Sequence, residues 1–288
     1  MTLFGLILPN YDHSPANNAD GLRRAAQAAE AAGFDSVWAT DHLLVPDTPR
    51  AAPYTNLTEA LMTLGYLAGL TRRVKLGTSV IVLPMRNPVI VAKQVAALDV
   101  LSGGRTILGV GVGWNETEYG FLNADFKRRG RLADEYIQVI RALWESRGLA
   151  AFEGETFRFA DAAFAPKPVQ RGGIPIWIGG TSGAALRRAA ALGDGWHPSG
   201  LEPAAIAERL SRLRALRPAG SPAGDRPFTV SARFRVDLNA GTEAVIARVR
   251  AYLAVGVTYP IVHIEHDSAD GLIDAIGQFG REVLPALA

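Results

Sequence analysis

One unit recurs along this chain: an Ala- and Leu-rich helical stretch, a glycine, and then a short run of β-branched and aromatic residues. The stretch 25–32, for example, ends at Gly33 and is followed by the run 34–39. Gly193 and Gly256 stand at the same place in two later units. Glycine adopts the left-handed conformation just past a helix without steric cost, so each of these glycines is predicted to end a helix and lead into a strand.

Followed through the whole chain, this unit predicts eight strands and eight helices. The strands are expected near residues 2–8, 34–40, 74–82, 105–112, 174–179, 194–198, 228–237 and 258–264. The helices are expected near residues 18–32, 57–70, 88–101, 127–147, 182–192, 203–217, 242–254 and 269–284. Such alternation predicts a parallel sheet, and eight units suit its closure into a barrel. We therefore expect an α/β fold, a (β/α)8 TIM barrel that forms one domain over residues 1–288, with an open doubly wound sheet as the alternative.

Two segments interrupt the alternation. Residues 149–173 combine aromatic and charged residues with a Pro-rich end, and we expect a short hairpin-like insertion before the fifth strand. Residues 217–227 contain Pro218, Gly220, Pro222, Gly224 and Pro227, which predict a loop.

Composition excludes several classes of function. The chain of 288 residues has no cysteine, so disulfides, thiolate catalysis and zinc–thiolate sites are excluded. The net charge is +2, and the densest basic cluster, 127–131, is typical of a solvated helix start, with an anion site as the alternative. We expect no nucleic acid as a partner.

The N-terminus and the hydropathy pattern predict a cytoplasmic protein. Residues 1–9 lack the charged segment of a signal peptide, and no stretch approaches about 18 consecutive apolar residues. We therefore expect no membrane association.

In a barrel, the active site is built from the loops that follow the carboxyl ends of the strands. Most of the residues at these positions are polar. They are Asn10, Tyr11, Asp12, Asp41, His42, Gly113, Trp114, Asn115, Glu116, Gly179, Gly180, Thr181, Ser182, His197, His263, Glu265, His266 and Asp267. Asp41 and His42 carry the clearest chemistry, because a histidine at a strand end can exchange a proton near neutral pH. The alternative is a histidine that only orders its loop.

Two glycine-rich segments suggest where a cofactor binds. The stretch 179–183 opens the fifth predicted helix, where free backbone N–H groups suit a phosphate. Glycines also alternate along 109–113, which leaves one face of the strand bare. Either a flat ring lies against that face or ordinary barrel packing fills it. The spacing does not match a dinucleotide fingerprint.

Three histidines near strand ends, His197, His263 and His266, raise the question of a metal site. Neither an H-x-H nor an H-E-x-x-H pattern is present. No metal site is expected.

With these residues in view, the chain resembles the luciferase-like monooxygenase superfamily, in particular its coenzyme F420-dependent branch. The similarity runs nearly end to end and is carried by the order of its motifs. These are the segments 32–43, 76–80, 86–88, 102–105, 108–119, 166–170, 175–180 and 193–196.

The resemblance implies roles for particular residues. A non-prolyl cis peptide at Ser79-Val80 is expected to back the cofactor ring, and His42, with Asp41 beside it, is expected at the reactive edge of that ring. The other residues expected to bind the cofactor are Asp41, Gly113, Trp114, Gly179, Gly180 and Thr181. The resemblance also implies a homodimer.

The chain departs from the sugar-phosphate dehydrogenases of that branch. Their catalytic glutamate after the glycines of strand four is Trp114 here, and Val45-Pro46 replaces their tryptophan after the Asp-His pair. Trp114, Trp196 and Tyr11 suggest a more apolar substrate pocket, with core packing as the alternative for any single tryptophan. Glu118 stands where the family often has a carboxylate, with helix capping as the alternative role.

Three functions follow from the resemblance. The main hypothesis is an F420-dependent oxidoreductase that transfers a hydride between C5 of the deazaflavin and a small organic substrate, with His42 moving a proton or orienting the substrate. The second is an FMN-dependent monooxygenase, and the third is a non-catalytic flavin-binding barrel.

Overall fold

The computed structural model describes residues 2–217 and 227–287, and it confirms the predicted barrel. Parallel strands close into a ring because β1 pairs with both β2 and β11, while β5 pairs with both β3 and β8. The strands are β1 (Gly5–Ile7), β2 (Ser36–Ala39), β3 (Lys75–Thr78), β4 (Ile81–Val82), β5 (Thr106–Gly111), β6 (Ala150–Glu153), β7 (Arg158–Ala162), β8 (Ile176–Gly179), β9 (Gly195–His197), β10 (Thr229–Val236) and β11 (Tyr259–Ile264). The ring has eight positions, because β3 and β4 are two pieces of the third barrel strand and β6 and β7 lie outside it.

Helices follow the barrel strands and cover their outer faces. They are α1 (Ala19–Ala32), α2 (Ala60–Ala68), α3 (Pro88–Ser102), α4 (Glu116–Phe121), α5 (Arg129–Glu145), α6 (Gly183–Leu192), α7 (Pro203–Ala215), α8 (Thr242–Ala254) and α9 (Ala269–Gln278). Most of the loop predicted at 217–227 lies outside the described residues. No helix in the ranges described is long and apolar enough to cross a membrane.

The sequence explains where α1 begins and ends. The side chain of Asn18 accepts a hydrogen bond from the N–H of Gly21, and Gly33 ends the helix with a φ of 93°. Gly256 also has a positive φ. For Gly193 the predicted left-handed conformation is wrong, because its backbone is extended. A Cβ at Gly193 would lie 2.8 Å from Ile178 Cγ1, so close packing against β8 explains the glycine there.

The structure differs from the predicted elements in two further places. The third strand is not continuous over 74–82, because it is interrupted at Ser79-Val80. The short helix α4 was not predicted, and it lies between β5 and α5.

The predicted insertion before the fifth barrel strand is confirmed as an antiparallel hairpin, β6–β7. The carboxylate of Glu135 on α5 accepts hydrogen bonds from the N–H groups of Thr156 and Phe157 in its turn. The hairpin is thereby fixed to the outside of the barrel.

Large side chains fill the inside of the barrel. They are Ile7, Tyr11, Trp38, Ile107, Trp177, Tyr259 and Ile261. Trp38 and Trp177 stack with ring centroids 5.0 Å apart. This cluster fills the interior, so we expect a ligand at the carboxyl ends of the strands, the part of the barrel called the mouth below.

Candidate active site

At the mouth, His42 and Glu118 form a buried hydrogen-bonded pair. The Nδ1 of His42 lies 2.7 Å from Oε2 of Glu118, and the other oxygen of that carboxylate accepts from the N–H of Leu43 at 2.7 Å. An ionised carboxylate only accepts, so Nδ1 of His42 carries the donated proton. Among the described residues, the other ring nitrogen of His42, Nε2, has no hydrogen-bond partner.

The environment of Glu118 keeps it ionised. Burial alone would raise the pKa of Glu118, but the hydrogen bonds from His42 and Leu43 outweigh it, and the pKa lies below its usual value. Asn115 caps the start of α4 with its side chain and so fixes the turn that carries Glu118. The sequence left the role of Glu118 open. In the structure, Glu118 holds the imidazole of His42.

Asp41 faces a different partner from its neighbour His42. One oxygen of its carboxylate accepts from Nη2 of Arg86 at 2.6 Å, and the other accepts from the N–H of Val82 at 3.0 Å. Arg86 also pairs with Glu59 at 3.0 Å. Burial raises the pKa of Asp41, while Arg86 and the Val82 N–H oppose that shift. These contacts join the loop after β2 to β4, and the predicted catalytic and cofactor-binding roles of Asp41 stay predictions.

The peptide bond Ser79-Val80 is cis, as the resemblance implies. The hydroxyl of Ser79 lies 2.8 Å from Nε2 of His197, and the carbonyl oxygen of Ser79 accepts from Nη1 of Arg233 at 2.9 Å. His197 and Arg233 therefore hold this segment from the opposite side of the barrel.

Val80 occupies the space beside the alternating glycines. A Cβ at Gly111 would lie 2.6 Å from Cγ2 of Val80, and a Cβ at Gly179 would lie 3.1 Å from its Cγ1. A Cβ at Gly109 would meet the carbonyl oxygen of Thr78 before it met Val80. Packing by Val80, rather than a ligand ring, therefore fills the bare face of β5. Val80 itself remains half-buried, so a ring can lie on it from the mouth.

Tyr54 joins two groups of aromatic side chains at the mouth. Its ring stacks on Tyr11 with centroids 5.8 Å apart, and it lies 4.2 Å from the ring of His42. Trp114 meets His42 edge-on at 5.8 Å and lies 6.4 Å from the ring of Tyr54. The guanidinium of Arg50 lies 4.1 Å from the ring centroid of Trp114. This belt gives the mouth an apolar wall beside the His42–Glu118 pair.

The predicted phosphate loop lies at the exposed start of α6. Gly180 has a φ of 104° and its carbonyl accepts from Nε1 of Trp196 at 2.8 Å. Ser182 caps the helix. Gly180, Thr181 and Gly183 are exposed or half-buried, whereas Gly179 is buried in β8. An anion can thus reach the backbone N–H groups of this turn.

Among the residues that the structure describes, two buried polar atoms near the pair have no hydrogen-bond partner. They are Oγ1 of Thr40, which precedes Asp41, and Nδ2 of Asn115, which caps α4. Buried polar groups are normally hydrogen-bonded, so these atoms fit a polar ligand. Gly113 has a φ of 65° and a Cβ there would lie 2.7 Å from Val82 Cγ1, which explains the glycine between these residues.

Sequence reasoning missed Arg233 and Tyr54. For Arg233 a signal was present, because polar residues at 231, 233 and 235 alternate with apolar residues along the seventh predicted strand. Across the ranges described, no group of three or more His, Asp or Glu side chains is arranged to hold a metal ion.

Comparison with other sequences finds relatives in mycobacteria. An uncharacterised protein of Mycobacterium tuberculosis is 35% identical over 205 residues, covering 67% of this chain and 69% of that protein. A phthiodiolone/phenolphthiodiolone dimycocerosates ketoreductase of Mycobacterium kansasii is 30% identical over 283 residues, covering 89% of this chain and 76% of the relative.

Solved structures share the fold at low identity. Monooxygenase RslO1 from Streptomyces bottropensis superposes with a TM-score of 0.84 at 19% identity, covering 99% of this chain and 100% of that one. An F420-dependent secondary alcohol dehydrogenase in complex with an F420-acetone adduct gives 0.81 at 20% identity, covering 100% and 99%. A riboflavin lyase with modified FMN gives 0.79 at 16%, covering 100% and 91%.

The family model described as luciferase-like monooxygenase matches residues 2–278. This match takes in every barrel strand and all of the residues discussed above. The chain belongs to the luciferase-like monooxygenase family.

Proposed function

We propose that this chain is an F420-dependent oxidoreductase acting on a small organic substrate at the mouth of the barrel. The observation that carries the proposal is the buried His42–Glu118 pair, which lies near an apolar wall. Within the described ranges, the pair leaves one ring nitrogen of His42 without a partner. When bound, the deazaflavin supplies a hydride donor or acceptor at C5 of its ring.

Residues of this chain fit such a cofactor. Val80 offers a half-buried apolar surface for a flat ring, with Ser79 beside it, and Asp41, Gly113 and Trp114 are the further residues we expect around the ring. Gly180 and Thr181, with Gly179 before them, offer backbone N–H groups to a phosphate at the start of α6. The unpartnered Nδ2 of Asn115 suits a polar group of the ligand.

The chemical task of His42 follows from its tautomer. Glu118 takes the hydrogen bond from Nδ1, so Nε2 is the nitrogen that exchanges a proton with the substrate. Glu118 also stabilises the positive charge that the ring carries once Nε2 is protonated.

Two of the similar proteins are named for reactions of ketones or alcohols, and they favour this proposal. One is the ketoreductase of M. kansasii, and the other is the alcohol dehydrogenase bound to an F420-acetone adduct. FMN-dependent oxygenation is the second hypothesis, and the similarity to RslO1 and to the riboflavin lyase favours it.

Titration of the purified protein with F420 and with FMN, followed by fluorescence, separates these hypotheses. We expect saturable binding of F420, tighter than that of FMN. His42→Ala should still bind F420, because the imidazole moves a proton and does not hold the cofactor. Absence of F420 binding rejects the proposal, and preference for FMN favours the monooxygenase. Binding of either cofactor with no turnover in a substrate screen, and therefore no effect of His42→Ala on activity, favours the non-catalytic barrel.

A further inference from the structure

Arg233 lies across the mouth without an acidic partner. Its Nη1 donates to the carbonyl oxygen and, at 3.3 Å, to the hydroxyl of Ser79, and its Nη2 donates to the hydroxyl oxygen of Tyr11. In the part of the chain that the structure describes, no carboxylate lies within 4.0 Å of this guanidinium. Because a guanidinium can only donate, the oxygen of Tyr11 must accept.

This direction fixes the tautomer of His263. The oxygen of Tyr11 already accepts from Arg233, and the nearest acceptor for the proton of Tyr11 is Nδ1 of His263, at 3.0 Å. Nδ1 of His263 is then the acceptor, and the ring proton sits on Nε2.

The surroundings keep the ring of His263 neutral. Burial, together with the positive charges of Arg233 and Arg235 on β10 and with His266, lowers the pKa of His263 to about 2. Tyr11 faces the ring from the loop after β1. A neutral imidazole with its proton on Nε2 is a fixed hydrogen-bond donor over the physiological pH range.

His263 lines a cavity of about 320 Å³ between the ends of β1, β10 and β11. Tyr11 and Arg235 line the same cavity. Nε2 of His263 has no hydrogen-bond partner among the residues described. It is also not among the fully buried atoms that lack a partner, so it is accessible. Tyr54 stacks on Tyr11 of this cavity, and its ring also lies 4.2 Å from that of His42.

We propose that Nε2–H of His263 donates a hydrogen bond to the substrate oxygen, and that the substrate class is a ketone and its secondary alcohol. Tyr11 and Arg233 are positioning residues, which act by fixing the tautomer of His263. A neutral imidazole that polarises a carbonyl is an established catalytic device in other enzymes. This proposal rests on the proposed function, which supplies reduced F420 as the hydride donor.

The reaction balances with these groups. The carbonyl carbon gains a hydride with its two electrons, and the π pair of the C=O bond moves to oxygen. That oxygen takes one proton from Nε2 of His42 and becomes the hydroxyl of the alcohol. His263 stabilises the negative charge that develops on oxygen and is unchanged at the end.

The tautomer is tested in the cofactor-free protein by ¹⁵N NMR of the histidine rings, with His263 assigned through its variants. We expect a neutral ring protonated on Nε2 from about pH 5 to 8. In Tyr11→Phe the Nδ1 resonance should move, because the hydrogen bond to it is lost. A ring protonated on Nδ1, or a cationic ring at pH 6, overturns the proposal whether or not F420 binds.

The substrate role is tested by kinetics with F420-loaded protein, using acetone and cyclohexanone, with 2-propanol and cyclohexanol for the reverse direction. We expect His263→Leu to lower kcat/KM about 100-fold, with the F420 affinity unchanged. His263→Gln, whose amide nitrogen can replace Nε2 as a donor, should recover most of the loss. His13→Gln is the control, because His13 is exposed and has no part in holding His263, and it should behave as the unaltered protein.

The outcomes separate the two proposals. Failure of the unaltered protein to bind F420 rejects the proposed function, and the NMR result then decides the tautomer alone. F420 binding with no turnover of these ketones or alcohols rejects the substrate class. Equal kcat/KM for His263→Leu and the unaltered protein rejects the role of His263.

Discussion

The hydrogen bond between His42 and Glu118 decides which ring nitrogen is available for chemistry. A carboxylate can only accept, whereas the amide of glutamine presents a donor on one side. The chain also offers a control in Glu116, which lies on the same short helix and is exposed. The role of Glu118 is therefore open to a matched test.

We expect Glu118→Gln to lower turnover about 100-fold, because the amide disturbs the tautomer and no longer stabilises a charged His42. F420 affinity should be retained, and Glu116→Gln should be neutral. The check is kcat with F420 affinity measured in parallel on both variants. Equal turnover in both variants would contradict the assigned contact.

The same carboxylate makes stability depend on pH. The pKa of Glu118 is lowered in the folded state, so its stabilising effect is present at neutral pH and is lost as the pH falls below about 4. We expect the difference in unfolding free energy between the unaltered protein and Glu118→Gln to shrink over that range. Urea unfolding at a series of pH values measures it, and a constant difference would argue against an ionised Glu118 in the folded protein.

His197 gives a second pH effect. Burial, with the charge of Arg233, lowers the pKa of His197 from 6.5 to about 3. The unfolded chain therefore takes up a proton that the folded chain does not, and stability is lost as the pH falls below 6.5, by about 1.4 kcal/mol per pH unit. His197→Gln should flatten the stability profile by about that slope between about pH 6 and 5, and an unchanged slope would contradict the buried neutral ring.

At the scale of the elements, the interrupted third strand determines the shape of the mouth. Val80 occupies the space that Gly111 on β5 and Gly179 on β8 leave open. Side chains on three neighbouring strands therefore have to match in size at this point, since protein interiors have little free volume.

We expect Gly111→Ala to displace Val80, to cost about 1–3 kcal/mol of stability, and to weaken cofactor binding. Gly120→Ala is the control, because a Cβ on this α4 residue meets nothing within 4 Å. Thermal unfolding and F420 titration of both variants provide the measurement. Cofactor binding as tight in Gly111→Ala as in the control would show that Val80 does not form the ring surface.

Local patterns predicted the elements that local interactions determine. Glycine-terminated helices and β-branched runs located the eight barrel strands, because capping and periodicity act over a few residues. The helix α4 was missed, since its six residues carry no apolar period. Glu118 and His42 lie 76 positions apart, and Arg233 reaches Ser79 over 154, so only the closed barrel brings these partners together.

At the scale of the molecule, the two ends of the barrel differ in how fully their polar groups are hydrogen-bonded. At the amino end, Arg105 donates to the carbonyl oxygens of Ala68, Thr71, Val74 and Ser102 and so closes the barrel floor. The unpartnered polar atoms Oγ1 of Thr40 and Nδ2 of Asn115 follow strand ends at the opposite, mouth end. This division between a stabilising and a functional face is typical of the fold.

Two packed helices carry exposed apolar side chains, and we propose that two copies of the chain associate through these helices. Met62 on α2 and Ile90 and Leu101 on α3 are 70%, 57% and 74% exposed. Light scattering should then give twice the chain mass of 30.7 kDa. Met62→Glu with Leu101→Glu should yield the monomer, whereas Leu149→Glu, on the hairpin side, should not. A monomeric unaltered protein would reject the proposal.

The distribution of tryptophan gives the molecule its own optical reporter. Trp38, Trp144, Trp177 and Trp196 are buried, whereas Trp114 is half-buried between Arg50 and His42. Excitation at the red edge should therefore select the emission of Trp114, and iodide should quench mainly this indole. Occupancy of the mouth can be followed in real time by this emission, without any attached dye.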